Sequence, residues 1–168
     1  MSAPAAELAT RIEAARAAAA RATDPELPFL TVEDLGVLHD VVADEAGRVT
    51  VTILPTYSGC PAMGVIALEV ETELAKAGFP DARVIVANSP AWTTDRIGAA
   101  AREKLLSNGI APPEQRAGKR ALFAAPEVAC PRCGSGDTER VSEFGSTACK
   151  ALWRCRACRE PFDQFKCA

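Results

Sequence analysis

The pattern of hydrophobic and polar residues changes period several times in the first 110 residues. Apolar residues at every second position, as in Val49, Val51 and Ile53, predict a strand. Apolar residues at every fourth position, as in Ile66 and Val70, predict a helix. In order, these patterns predict a helix over 5–22, a hairpin from 37–43 and 48–54, a helix ending near 77, a strand over 83–87, and a helix with Ile97, Ala101 and Leu105 buried. The predicted fold class is α+β, with helices over a three-stranded sheet.

A seven-residue loop, Pro55 to Pro61, joins the second strand to the second helix. Pro61 suits the first position of that helix, because its missing N–H is one that the helix could not use. Cys60 is then expected as the N-cap residue, where backbone N–H groups and the helix dipole stabilise a thiolate. Cys60 is therefore predicted to be a reactive or metal-binding cysteine. The alternative is a small, buried apolar residue in a strand-to-helix turn.

The last 39 residues carry two Cys-x-x-Cys pairs, Cys130/Cys133 and Cys155/Cys158, with 21 residues between the pairs. This spacing is typical of a zinc ribbon, in which four thiolates hold one structural zinc ion in a closed tetrahedral site. Mononuclear iron in the same geometry is the rival metal. A unit below about 40 residues rarely folds alone, so we expect metal binding to supply its folding energy.

Composition and charge argue against a nucleic-acid-binding protein and against a membrane-spanning protein. The formal net charge of −3 gives no electrostatic footprint for nucleic acid, and no apolar run approaches the roughly 20 residues that cross a membrane. Seven cysteines without an export signal favour metal over disulfides and a reducing, cytoplasmic setting. Cys149 and Cys167 lie outside the two pairs; they are either small core or surface residues or auxiliary thiols. The expected domains are 1–110, a proline-containing linker over 111–129, and the ribbon over 130–168.

Three loops of the first domain resemble those of the small iron–sulfur cluster carrier and targeting domains related to SufT: Asp24-Pro25-Glu26, Asp34-Leu35-Gly36 and Thr56 to Pro61. Further features narrow the resemblance to the PaaD family, the D proteins of the bacterial phenylacetate degradation pathway. They are the complete 55–61 loop, Ala91 to Asp95, the four-cysteine ribbon, and Phe144 to Lys150 followed by Glu160 to Phe162. This resemblance spans nearly the whole chain.

The resemblance implies a role beside a multicomponent monooxygenase that epoxidises phenylacetyl-CoA. That system has a di-iron oxygenase subunit and a reductase with flavin and an iron–sulfur cluster, and the D protein resembles a maturation factor for it. By likeness, Cys60 would contact iron or a transient cluster, and Asp24, Glu26 and Thr56 would line the same site. One cysteine cannot supply the four thiolates of a cluster. A cluster would therefore be shared across a homodimer, completed by a partner or small thiol, or passed on transiently.

Two classes of function remain open on this basis. The first is a non-catalytic accessory protein that assists assembly of an iron or iron–sulfur centre, with Cys60 as its active thiol. The second is a structural adaptor subunit of the oxygenase complex, with the zinc ribbon as its interaction surface. An independent enzyme is disfavoured, because the chain lacks a Gly-rich phosphate loop, a dinucleotide-binding fingerprint and a Glu-x-x-His di-iron motif.

Overall fold

The computed structural model of the chain describes residues 5–113 and 128–166. The chain divides into two compact units, Met1–Trp92 and Thr93–Ala168. The sequence predicts that the first domain ends at residue 110. The structure instead groups the last predicted helix of that domain with the second unit. The reason is a non-local pairing: the two-residue strand Ile110–Ala111 joins the sheet of the ribbon. Most of the expected 111–129 linker lies outside the described residues.

The first unit has the predicted arrangement of helices over a sheet. Its described elements are α1 (Ala5–Ala19), β1 (Leu38–Ala43), β2 (Val49–Ile53), α2 (Met63–Lys76) and β3 (Arg83–Val86). Within this described part the sheet order is β1-β2-β3; β1 pairs antiparallel with β2, and β3 pairs parallel with β2. The predicted hairpin, three-stranded sheet and α+β class are confirmed.

The core of the first unit is formed by the buried faces of α1, α2 and the sheet. The alternating residues Val49, Val51 and Ile53 are buried, as are Ile66 and Val70 on the helix. These two periodicities are the ones that the sequence predicts. Because the period of a strand is two and that of a helix is 3.6, each pattern leaves one apolar face that must be covered.

The start of α2 differs from the prediction. The helix begins at Met63, and its N-cap is Ala62, so the expectations that Cys60 caps the helix and that Pro61 is its first residue are wrong. Cys60 instead belongs to a tight turn that precedes the helix. Its carbonyl accepts the Met63 N–H at 3.3 Å, and its own N–H donates to the Tyr57 carbonyl at 3.3 Å.

The second unit contains α3 (Ala99–Ser107) and four strands among its described residues, β4 (Ile110–Ala111), β5 (Thr138–Ser142), β6 (Lys150–Cys155) and β7 (Pro161–Phe165). A short 3-10 turn, Thr94–Arg96, precedes α3. The strand order is β4-β7-β6-β5. The predicted stripe of Ile97, Ala101 and Leu105 is buried, and the ribbon has a core that includes Trp153 and Phe162. In the described part of the chain, no helix has the length and hydrophobicity that crossing a membrane requires.

Candidate metal centre and reactive thiol

The two cysteine pairs of the ribbon lie in two tight turns. In the first turn, the Gly134 N–H donates to the Cys130 carbonyl at 2.9 Å, and Gly134 has the left-handed φ of +74° that glycine adopts at little cost. In the second turn, the Cys155 N–H donates to the Glu160 carbonyl at 2.9 Å. An exposed ion pair between Arg132 and Glu160, 2.7 Å apart, joins the two turns. The hairpin thereby holds both turns at one end of the sheet.

The four sulfur atoms of Cys130, Cys133, Cys155 and Cys158 all lie within 4.8 Å of one another. The Cys130 and Cys158 sulfurs are 3.7 Å apart, and those of Cys133 and Cys155 are 3.6 Å apart. Four sulfurs at about 2.3 Å from a central zinc ion form a tetrahedron with edges of roughly 3.8 Å. The donor set and its spacing therefore fit a tetrahedral metal ion such as zinc.

The hydrogen bonding among the four ribbon cysteines also favours the binding of a cation. The Cys158 N–H donates to the Cys155 sulfur at 3.5 Å, and this bond is the main cause that lowers the pKa of Cys155 to about 7. At Cys158 a backbone bond from Glu160 lowers the pKa, but burial and the neighbouring thiols outweigh it and raise the pKa to about 12. Neighbouring thiols cannot all ionise beside one another unless a cation compensates their charge. A bound metal ion supplies that charge.

The two remaining cysteines of the second unit do not belong to this cluster. Cys149 is half-buried just before β6, where its sulfur lies 3.1 Å from the Thr147 hydroxyl oxygen. Cys167 lies outside the described residues. The two alternatives for these thiols, a small core or surface residue and an auxiliary thiol, both stay predictions.

Cys60 lies where the loop after β2 turns toward α2. On one side of this loop, the pairing of β1 and β2 ends with a bond from the Leu54 N–H to the Val37 carbonyl at 2.8 Å. On the other side, the Ala87 N–H donates to the Ile53 carbonyl at 2.9 Å. The Cys60 loop therefore leaves the centre of the sheet edge, between the segment before β1 and the segment after β3. Cys60 is half-buried, so this residue is not enclosed in the core.

Asp24 and Glu26 occupy one loop, which a bridge between Thr23 and Thr31 closes. One carboxylate oxygen of Asp24, Oδ1, accepts the N–H of Glu26 at 2.8 Å and that of Leu27 at 2.9 Å. Asp24 therefore shapes its own loop through this oxygen, whereas the Glu26 side chain is exposed.

Thr56 is half-buried and shares the loop of Cys60, four residues before it. Among residues 5–113 and 128–166, the ribbon cysteines are the only group of three or more His, Cys, Asp or Glu residues placed to hold a metal ion. Cys60, Asp24 and Glu26 therefore do not form such a group within the described chain, and their shared role stays a prediction.

The structure adds Trp92 to this end of the sheet. Its indole Nε1–H donates to the Leu35 carbonyl at 2.8 Å, and both residues are buried. In the sequence, Trp92 lies in the Ala91–Asp95 motif, which predicts no role for it. A signal was available, because a buried tryptophan usually needs a hydrogen-bond acceptor; the identity of that acceptor, 57 residues away, could not be read from the sequence.

Two protein-family models match the chain, one in each unit. Residues 12–86 match a model described as "Iron-sulfur cluster assembly protein". Residues 114–166 match a model described as "PaaD zinc beta ribbon domain". The two matches separate the half-exposed Cys60 from the four-sulfur cluster, so each candidate site lies in a different family module.

Two relatives found by sequence and one solved structure are similar to the chain. The chain is 48% identical over 144 residues to the D component of the 1,2-phenylacetyl-CoA epoxidase of Escherichia coli (strain K12), covering 86% of each chain. It is 35% identical over 80 residues to the Fe-S protein maturation auxiliary factor YitW of Bacillus subtilis (strain 168), covering 47% of this chain and 78% of that one. A crystal structure of a domain of unknown function, DUF59, from Bacillus anthracis matches with a TM-score of 0.56 and 28% identity, covering 61% of this chain and 97% of that one.

Proposed function

The chain belongs to the PaaD family, the D components of phenylacetyl-CoA epoxidases, and from this premise we propose that it is a non-catalytic accessory protein of such an epoxidase. In this proposal it assists the assembly of an iron or iron–sulfur centre in a partner subunit. The receiving partner is either the reductase, with its iron–sulfur cluster, or the di-iron oxygenase subunit. Relatives named as Fe-S protein maturation factors support this role for the first unit.

One observation carries the proposal: a half-exposed thiol, Cys60, lies in the module that matches the iron–sulfur assembly family. A soft thiolate binds iron well, and an exposed position lets a second protein reach the same metal. The loop of Cys60 leaves the edge of a packed sheet, so its ends are held, and Cys60 itself is only partly buried. These are the properties that a transient carrier needs.

The number of ligands that this chain supplies favours transient binding of a cluster over its storage. An iron–sulfur cluster requires four ligands, and Cys60 is one. We propose that Thr56, Asp24 and Glu26 line the approach to the thiol, and that the receiving protein or a small thiol supplies the other ligands. Ligands of the partner then replace Cys60, whose sulfur takes up a proton from the solvent.

The ribbon has a different role in this proposal. Cys130, Cys133, Cys155 and Cys158 bind one structural zinc ion, because four closely spaced thiolates leave no open coordination position for a substrate. When bound, the zinc ion supplies positive charge and a covalent cross-link between the two turns. Its ligands hold the fold of the second unit.

The experiment is reconstitution of the epoxidase components in cells. The reductase and oxygenase subunits are produced with the parent protein, with Cys60→Ser, or with Cys149→Ser, and purified without oxygen. We expect under-loading of iron or sulfide in one component with Cys60→Ser and full loading with the parent and with the Cys149→Ser control. Full loading and activity with Cys60→Ser would refute the carrier role.

A second candidate function rests on the ribbon surface. Phe144 is 62% exposed and Val141 is 57% exposed, and the Lys166 ammonium lies 4.5 Å from the centre of the Phe144 ring. An exposed aromatic ring in a fixed position is typical of a protein contact. Components that are fully loaded with metal, yet inactive until the parent protein is added, would favour a structural adaptor.

A further inference from the structure

Trp92 links two segments that flank the central strand of the sheet in the first unit, the segment before β1 and the segment after β3. The order is β1-β2-β3; Leu35 lies just before β1, and Trp92 lies after β3. Neighbouring strands are about 4.8 Å apart, so the segments next to β1 and β3 are separated by the width of β2. The 2.8 Å bond from the Trp92 indole to the Leu35 carbonyl closes that gap.

The closed gap is the place where the loop of Cys60 begins. β2 ends at Ile53, and its flanking bonds to Val37 and from Ala87 mark the two sides of the exit. The loop from Pro55 to Cys60 therefore leaves the sheet between the segment that contains Leu35 and the segment that leads to Trp92. We propose that Trp92 is a positioning residue for Cys60, and that its indole supports the loop from below and fixes where the thiol stands. This inference rests on the proposed carrier function of Cys60.

The support is rigid on both sides of the hydrogen bond. Leu35 follows a turn in which Thr31 and Asp34 bond to each other twice: the Thr31 N–H donates to Asp34 Oδ2 at 3.0 Å, and the Asp34 N–H donates to Thr31 Oγ1 at 3.1 Å. This reciprocal arrangement is a capping box. Trp92 itself is 8% exposed, so its ring is packed as well as hydrogen-bonded.

Support of the loop by the Trp92 indole has a specific consequence for the metal-carrying thiol of Cys60. An indole held on one side of the loop limits the positions that the thiol can take and leaves its exposed side for the cargo and the receiving protein. Groups that orient a metal ligand without touching the metal typically change affinity or activity by about 10–100-fold when they are replaced. We therefore expect Trp92 to affect the behaviour of Cys60 without binding the cargo.

The chain offers a matched control, because it contains two tryptophans and both are buried. Trp153, in the ribbon, is 5% exposed, and its indole nitrogen has no hydrogen-bond partner among the described residues. Trp92→Phe therefore removes a ring portion and a hydrogen bond, whereas Trp153→Phe removes a ring portion alone. Both variants are compared in the full-length, zinc-loaded protein.

The first measurement is the alkylation rate of Cys60 by iodoacetamide, read by mass spectrometry at residue 60, with urea unfolding as the check of the fold. We expect Trp92→Phe to change this rate several-fold while the unit remains folded, and to reduce iron loading of the partner about tenfold or more. Trp153→Phe should leave both unchanged. A folded Trp92→Phe protein with parental alkylation and parental loading would overturn the inference.

The second measurement does not depend on the stability of Trp92→Phe. Trp153→Phe, Cys149→Ser and Cys167→Ser leave Trp92 as the only tryptophan and, with zinc in the ribbon, Cys60 as the only reactive thiol. A nitroxide label attached to Cys60 should then strongly quench Trp92 emission, because contact quenching needs proximity. Emission equal to that with the same concentration of unattached label would overturn the inference.

The two proposals fail in different ways. If Cys60→Ser loads the partner fully, the carrier function is refuted, whatever the label shows. If Cys60→Ser is inactive but the label on Cys60 leaves Trp92 emission unchanged, only the positioning role of Trp92 is refuted.

Discussion

Removal of one ribbon sulfur should unfold the second unit and leave the first unit folded. Cys155 is the sharpest position for this test, because it is completely buried and accepts the Cys158 N–H at 3.5 Å. In Cys155→Ser a hard hydroxyl replaces a soft thiolate in the metal site. The variant therefore weakens metal binding with little change in side-chain volume.

The magnitude follows from the size of the unit. Natural domains have free energies of unfolding of roughly 0.05–0.15 kcal/mol per residue, so a unit of the length of Thr93–Ala168 is stable by about 4–11 kcal/mol. A structural zinc ion contributes about 10–16 kcal/mol in zinc-finger peptides at neutral pH. The metal contribution matches or exceeds the whole net stability. The metal-free unit should therefore be at most marginally folded.

The assay uses the tryptophan in each unit. In Trp92→Phe, emission from Trp153 reports on the ribbon; in Trp153→Phe, emission from Trp92 reports on the first unit. We expect Cys155→Ser, or a strong zinc chelator with the parent sequence, to shift Trp153 emission to that of an unfolded chain. Trp92 emission should not shift. Elemental analysis should show one zinc ion per chain in the parent and a marked loss in the variant.

Cys149→Ser is the control for this prediction. Cys149 lies in the same unit, but its sulfur is outside the cluster and close to the Thr147 hydroxyl. It should retain zinc and the parental Trp153 emission. If Cys155→Ser also retained both, or if the chelated parent kept a folded ribbon, the reasoning that metal supplies the folding energy would be refuted.

Two further predictions concern stability outside the metal site. Hydrogen bonds from Lys76 and, to a smaller extent, Arg21 lower the pKa of Glu73 below its ordinary value of 4.5. The first unit should therefore lose stability as the pH falls below about 4.5 and through the lower pKa of the folded state. Glu73→Gln should flatten this loss in urea titrations that are read by Trp92 emission. In the ribbon, a methyl group on Gly145 would displace the Asp163 carboxylate, whose other oxygen accepts a hydrogen bond from the Ser146 hydroxyl at 2.8 Å. Gly145→Ala should therefore lower the free energy of unfolding by about 1 kcal/mol, the worth of one such bond, whereas Gly136→Ala, with open space around it, should not. A Gly145→Ala protein as stable as the Gly136→Ala protein would contradict the second prediction.

Local periodicity was sufficient for most of the first unit. The alternation through Val49, Val51 and Ile53 predicted β2, and the four-residue spacing of Ile66 and Val70 predicted α2, because burial of one face is a property of each element alone. The ribbon was predictable for a different reason. A metal site needs its ligands at short spacings within tight turns, so its geometry is written directly in the Cys-x-x-Cys pairs.

The features that the sequence did not predict involve contacts between distant residues or a competition at the end of an element. The grouping of α3 with the ribbon depends on Ile110–Ala111, a strand too short to show a pattern, which pairs with β7 far along the chain. The partner of Trp92 depends on the folded sheet that brings Leu35 near. At the start of α2, the Cys60 carbonyl accepts a hydrogen bond within the preceding tight turn, so the regular helix begins only at Met63. None of these has a local signature.

The corrected position of Cys60 changes the reason for expecting a benign substitution, although the expected result is the same. As an N-cap, residue 60 would stabilise the helix through its side chain, and Cys60→Ser would test that bond. In the structure, the backbone N–H and carbonyl of Cys60 make its hydrogen bonds to Tyr57 and Met63, which serine retains, and its side chain is half-exposed. Cys60→Ser should therefore change the free energy of unfolding of the first unit by no more than about 0.5 kcal/mol. A urea midpoint far below that of the parent, together with slow alkylation of Cys60 in the parent, would show that this cysteine is a packing residue; a parental midpoint with lost metal delivery would assign the loss to the sulfur itself.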